Sequence, residues 1–590
     1  VVVEAGATLA TGQGGKLMLF APKVRNAGAL SAPDGQVILA AGENVFLATP
    51  RLDDPAGVRG LDVAVSAVPG WAFTGGQVAG ALGLSPVYGD AQFVAGLRDV
   101  VFPEMAQRAA QVGYEVVNTG SIRSDRGNIT LQARDVRQLG ALTATTALNN
   151  RSGSILLRAW GLGTHMYADG MNELVNWSAG TLTLGPSSVT QVLPDTSDIG
   201  EIEASALATR YQPGRVDLYG QLIDLKPQAG VLVPAGTINI ESAVNPLFTQ
   251  QPWYKPGSVG DASRIYIDSD AFLSVAGVRD VLVPMARNFV EVELRINELR
   301  DSPLLRDSWL RGSKLIVDRR ANGIFTDGPM AGVNWVQKDN GSGQVGYVPG
   351  EWIGTPLGDV AGWVGVGKTD LAELSTDAGT ITMRAGGSVI TRGGSMLDIS
   401  GGSVRYTDGV NTATKLLGAD GRLYTMDRAL PDIGYVGIAG QYASSSPRWG
   451  VKETWRSPVI GANAMEGGYV EGRNAGSVQV FAGDAMVLEG EVWGGTIIGD
   501  RQQSGGNGGG RLELGGGSVE DKPWSPGKIV VSNDPLRLGA DFVSTSALGD
   551  EFYMADPSKS RKLTHLLADG LSRSGLGEIR IPENEPGSSI

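Results

Sequence analysis

No cysteine occurs anywhere in the 590 residues. Its absence excludes disulfides, thiolate catalysis and every cysteine-based metal site. It suits a chain that crosses an oxidising compartment unfolded, where stray thiols would cross-link. Histidine is nearly missing as well, with only His165 and His565. Two distant histidines without cysteine exclude the common zinc patterns, and a Ser-His-Asp triad would have to use one of them. Aromatic residues make up only 6%, as expected for a narrow core filled by Val, Ile, Leu and Ala. There is no signal peptide and no run of 18 apolar residues, which predicts no transmembrane segment. Positive charge is in deficit: 49 Lys and Arg against 62 Asp and Glu leave a net charge of -13. That argues against nucleic acid as the main partner. No Arg-Gly-Asp tripeptide is present, so integrin binding by that route is excluded.

Glycine is what the chain has in excess, 86 residues or about twice ordinary usage. At least eleven times a glycine opens the pattern any-apolar-any-apolar, at Gly15, Gly35, Gly127, Gly153, Gly180, Gly214, Gly236, Gly379, Gly476, Gly510 and Gly577. Six of these continue to an alanine six residues on: Ala21, Ala41, Ala133, Ala159, Ala385 and Ala482. A turn glycine feeding a short strand with one buried face explains the pattern. Its recurrence predicts one small unit stacked many times. The run Gly15, Leu17, Leu19, Ala21, Val24, Gly28, Leu30, Ala32 returns in full 112 residues later, from Gly127 to Ala144. Neighbouring starts lie 20 apart at Gly15 and Gly35, and 22 apart at Gly214 and Gly236.

A coil of about 20 residues with two or three short strands predicts an all-β fold, a parallel β-helix solenoid with loop insertions. A propeller would need a longer period and antiparallel hairpins. At about 4.8 Å per coil, roughly 15 to 25 coils would give a rod of about 70 to 120 Å. Regular coils are expected over 1–50, over 115–294 with insertions, and over 373–515 with an insertion at 403–471. Residues 51–114 read as an insertion with a short helix from Glu104 to Gln111, and 295–372 as an irregular insertion. Residues 516–590 read as irregular, ending in a further coil. Val1 is not methionine and the opening already reads as part of a coil, which predicts an internal fragment of a longer protein.

The chemistry on this scaffold is sparse. Gly362-Trp-Val-Gly-Val-Gly367-Lys368-Thr369 matches the phosphate-loop spacing. A real phosphate loop needs a buried strand before it and a long helix after it. Only about two helical turns fit before Gly379, so no nucleotide site is expected. Adjacent Asp53 and Asp54, and the alternating pairs Asp268 with Asp270 and Glu291 with Glu293, are the carboxylates that a glycan-cleaving β-helix would use. Alternating acids share a strand face, which more often is simply solvated. His565 lies in Arg561-Lys-Leu-Thr-His-Leu-Leu567, which reads as a short amphipathic surface helix. Gly505-Gly-Asn-Gly-Gly-Gly510 lacks the aspartate of calcium-binding repeats and reads as a loop. The segment Val94 to Pro103 recurs as Val275 to Pro284, with Arg98-Asp99 and Arg279-Asp280 as corner ion pairs. No catalytic, cofactor or metal residue is assigned. Trp352, Trp363 and Trp449, on insertions, are the residue type that stacks on sugars.

The stretch Gly15-Lys-Leu-Met-Leu-Phe-Ala21 through Gly42 resembles filamentous haemagglutinin-type exoproteins, the large secreted partners of bacterial two-partner secretion. So do Val275 to Pro303, Asp398-Ile-Ser-Gly-Gly-Ser-Val404 and Lys415 to Tyr424. The resemblance implies a right-handed parallel β-helix, export through an outer-membrane transporter, and a secreted or cell-surface fibre used in adhesion. Contacts with host-cell glycans or proteins would follow. The alternatives are a passive stalk for a terminal toxin domain, and a polysaccharide-cleaving enzyme.

Overall fold

A computed structural model describes residues 1–42, 44–48, 60–66, 112–160, 180–243 and 262–581. The last stretch is interrupted at 296, 300–303, 322–335, 340–344, 349–353, 359, 365–366, 447–448, 450, 457–463, 500, 503–507, 516–517, 520–521, 524–527, 534–537 and 550–562. Three long parallel sheets, of eleven, nine and ten strands, carry the fold. The chain visits them in the same order in nine successive coils. The first coil places Val2–Val3 in sheet I, Thr8–Ala10 in sheet II and Lys16–Ala21 in sheet III. The second repeats this with Lys23–Asn26, Ala29–Ser31 and Gln36–Ala41. The protein is a parallel β-helix, as the repeat predicts.

Ten coils are present among the described residues, about 45 Å of stack at the strand spacing. The expected 15 to 25 coils overshoot because insertions take up much of the chain. Ten of the eleven repeat glycines feed sheet III, one per coil, and only Gly180 leads into sheet I.

The apolar residues of each strand stack in register. Val24, Val116, Val136, Leu182 and Ile223 form one continuous inward column in sheet I, all essentially inaccessible to solvent. Each such side chain contributes about 1.5–3 kcal/mol by leaving water. The alanines at the far end of the motif pair as Ala21 with Ala41, Ala133 with Ala159 and Ala385 with Ala482. The corner into sheet III divides its work between two residues. Asp34, Arg126 and Ala235 take φ values of 53°, 54° and 54° and turn the chain. The glycine after each lies against the glycine one coil below. A Cβ on Gly379 would sit 1.7 Å from the Gly236 carbonyl oxygen. Close approach, not backbone twist, demands glycine there.

The corner between sheets I and II is always short, two residues (27–28) or four (185–188). Inside it runs a buried amide ladder. Asn26 Nδ2 donates to Asn118 Oδ1 at 2.8 Å, and Asn118 Nδ2 donates to Gln138 Oε1 at 2.7 Å. Each amide also donates to a carbonyl of its own corner, Gly28, Gly120 or Gly140. One coil on, the position is Leu184.

Apart from 532–562, which joins two strands of sheet I, the long insertions leave from the other two corners. Those at 195–214, 275–379, 399–476 and 494–509 leave between sheets II and III. The rod therefore pauses at Ser274, not at 294, and resumes at Thr380. Residues 295–372 and 403–471 are not separate irregular loops. With Phe289–Glu293 paired antiparallel to Lys314–Asp318, they share one second hydrophobic core. Val292, Leu310, Val317, Leu357, Leu416 and Tyr435 meet in it. This side domain is stitched to the 195–214 insertion by Glu201–Glu203 against Lys368–Asp370. Arg287 reinforces the seam, with Nη1 2.9 Å from Glu201 Oε1. Near the rod's start, Asn44–Ala48 already leaves the coil and pairs with Asp62–Ser66, ending the regular stack at Ala41. The expected helix from Glu104 to Gln111 and the Val94 to Pro103 segment lie outside the described residues.

At the other end the strand order reverses. Lys528–Val531 precedes Leu563–Leu566 in sequence but lies beyond it in sheet I. His565 is therefore in a strand, fully buried and in register with Val487 and Val530. This corrects the amphipathic surface helix expected over 561–567: pairing with two strands overrides local helical preference. A short helix, Ala568–Arg573, packs against Glu491–Trp493 and brings Leu571 onto the core.

Residues 538–548 cross the outer face of sheet I as a strap. Leu538, Phe542 and Leu548 cover Tyr266, Ile390 and Val487. Arg264 Nη1 donates to the carbonyls of Ser544 and Ser546 at 2.9 and 2.5 Å. Asp224, Arg392 and Glu489 hold the strap from three further coils. Arg264→Ala is expected to lower stability by about 2 kcal/mol and to raise amide exchange through 538–548, measured by mass spectrometry.

Candidate ligand-binding cleft in the side domain

Among the described residues, those singled out in the sequence do not converge. Trp352, Asp53, Asp54 and His165 lie outside the described residues. Trp363 is half-buried in the side-domain core: its Nε1 donates to Glu298 Oε1 at 2.9 Å and Arg295 stacks 5.1 Å from its ring. It acts as a cover, not an open platform. Trp449 is 75% exposed and stands in the connection between the antiparallel strands Gln441–Ser446 and Val451–Arg456. Asp268 and Asp270 sit in a turn, not on a strand; Asp268 Oδ1 accepts from the Ser269 amide and Asp270 has φ of 59°. Glu291 and Glu293 do alternate on one strand, but Lys314 and Arg295 engage them at 2.7 and 3.1 Å. Arg279 and Asp280 do not pair with each other: Arg279 reaches Ser400 and Asp280 reaches Arg405. Among the described residues no group of three or more His, Cys, Asp and Glu could hold a metal ion.

The phosphate-loop spacing breaks into different elements. Ala361–Val364 is a single helical turn, and Lys368–Asp370 is a strand. Asp370 then caps the four-residue helix Leu371–Leu374 in a capping box with Glu373. The helix that follows Lys368 has four residues, where a phosphate loop opens a long one.

The site the structure does build was not visible in the sequence. A cleft of about 410 Å³ opens in the side domain, within the range of roughly 300–1,000 Å³ typical of ligand pockets. Its walls come from 318–321 and 354 in one insertion, 411–427 and 464–466 in the next, and Arg501 in a third. Three successive coils thus each send out a piece of it.

Arg320 is the organising group. It follows the strand Lys314–Asp318, and Asp318 folds back to accept from the Arg320 amide and guanidinium. The same guanidinium meets Glu466 with two bonds, of 2.6 and 2.9 Å. Arg501 donates to Glu466 at 2.7 Å and lies 4.1 Å over the Tyr469 ring. Asn411 completes the Glu466 shell at 3.4 Å. Hydrogen bonds from Arg320, opposed by burial and joined by Arg501, pull the Glu466 carboxyl down to about 2. On the rod, Arg126 does the same for Asp34, also to about 2.

These depressed carboxylates make stability fall in acid. Folded Glu466 titrates below its ordinary 4.5, so its contribution is complete above about pH 4.5. It is lost as pH falls from there toward 2. With the carboxylate 17% exposed, the expected loss is about 2 kcal/mol. Glu466→Gln should flatten that acid limb in a thermal unfolding series across pH.

No family model matches the chain, and neither a curated protein nor a solved structure does. Among the described residues no helix is long and apolar enough to cross a membrane.

Proposed function

We propose that this chain is a structural and adhesive segment of a secreted bacterial surface exoprotein of the filamentous haemagglutinin type. A rigid rod holds the side domain away from the cell, and the side domain makes the contact. Export runs through an outer-membrane transporter, and the targets are glycans or proteins on host or neighbouring cells. The segment works by binding and performs no reaction. One observation carries this proposal: insertions from three successive coils meet around one solvent-open polar cleft. Loops placed by a rigid scaffold are where binding surfaces concentrate. The sequence resemblance supplies the family.

The test is binding of the purified chain to a broad glycan array and to host cells, with every glycan checked for cleavage. Saturable binding without products is expected. Cleaved glycan would overturn the adhesive role in favour of an enzyme. Silence in both assays would reduce the chain to a passive stalk for a terminal toxin domain.

A further inference from the structure

We infer that the cleft takes an uncharged saccharide unit, not an anionic one. This rests on the cleft being the ligand contact of the proposed function, and it names what that contact selects. The cleft's ionisable lining is three cations, Arg320, Lys415 and Arg501, and three anions, Asp318, Asp427 and Glu466. The charges therefore cancel within the cleft. Three of the least exposed are also spent locally: Arg320 is held on both sides by Asp318 and Glu466, and Glu466 takes bonds from Arg320, Arg501 and Asn411. A sulfate or carboxylate ligand would have to displace one of these carboxylates to reach Arg320, leaving a charge unpaired, and at Arg501 it would meet the Glu466 carboxylate that Arg501 already binds.

Hydroxyl groups face no such conflict. Planar guanidinium and carboxylate groups fixed side by side offer donors and acceptors at the spacing of neighbouring hydroxyls. The rest of the lining suits the apolar face of a sugar ring. Ala321, Ala413 and Ala464 present small apolar surface between the charged groups. Arg501 is the accessible partner, with its side chain 46% exposed, and its position over Tyr469 fixes the plane of its guanidinium.

The experiment uses the full chain with lactose, maltose and diacetylchitobiose against sialyllactose and a heparin disaccharide, by calorimetry and saturation-transfer NMR. At least one neutral disaccharide should bind more tightly than the anionic ones. Arg501→Ala and Lys415→Ala should each weaken it by about tenfold or more, with the melting temperature retained to show that the variants fold. Preference for the anionic sugars would overturn the inference and leave the cleft as the ligand contact. Neutral binding that ignores both variants would move the contact elsewhere on the rod. Binding to cells with no binding to any of these sugars would overturn the inference alone, and loss of both would also remove the adhesive role.

Discussion

Gly379→Ala should cost the rod about 3 kcal/mol or more, the upper end of what overpacking usually costs. The added carbon would sit 1.7 Å from the Gly236 carbonyl oxygen and 2.8 Å from the Gly236 nitrogen. Neither can yield as a side chain would. Both backbones are bound into the stack at this point, since the Thr380 amide donates to the Gly236 carbonyl at 3.0 Å and the Ser477 amide to Gly379 at 3.1 Å. Relief requires spreading two coils, which breaks those bonds and thins the apolar columns beside them. Gly362→Ala is the control, because a carbon there meets nothing within 4 Å. Urea unfolding of the two variants should separate them clearly; equal stability would mean that the coils are not as closely stacked as described.

Breaking the amide ladder in its middle should cost nearly as much. Asn118→Leu takes from the Asn26 amide one of its two acceptors, and from the Gln138 oxygen its side-chain donor. Both lie out of reach of solvent. Each buried group left unpaired costs about 1–3 kcal/mol, so a total of about 3 kcal/mol is expected. Replacing Asn26, Asn118 and Gln138 by leucine together should recover most of it, because no amide is then left behind. The fold already contains that solution, with Leu184 and Leu225 continuing the same column. A triple variant less stable than Asn118→Leu would show that the corner carbonyls of Gly28, Gly120 and Gly140 depend on those amides more than the side chains depend on each other.

The rod was legible because its physics is local and repeated. A glycine and two apolar residues on one face recur in every coil, a small residue at the corner in all but the last, and ten of the eleven glycines mark ten coils one by one. Chain length overstates the coil number because insertions intervene between coils. The side domain left no such trace. Leu294, Leu357 and Tyr435 join one core from stretches far apart in sequence, with no period to announce it. The cleft is harder still, since Arg320, Glu466 and Arg501 lie 146 and 35 residues apart and none belongs to a motif. Trp363 is an aromatic on an insertion, yet its ring is taken up by Arg295 and Glu298. His565 shows the reverse: a helical pattern of charge and leucine gives way when two strands offer pairing on both sides.

The reversed strand order at the far end bears on the sequence of events in assembly. Nine coils can be laid down as the chain emerges, each rung finding its predecessor already in place. The tenth cannot. Among the described residues Lys528–Val531 has no neighbour in sheet I except Leu563–Leu566, which comes later in the chain. It must wait, unpaired, until that later strand has docked on Met486–Leu488. The last rung therefore closes like a latch, from the inside outward, while every other rung is added in order.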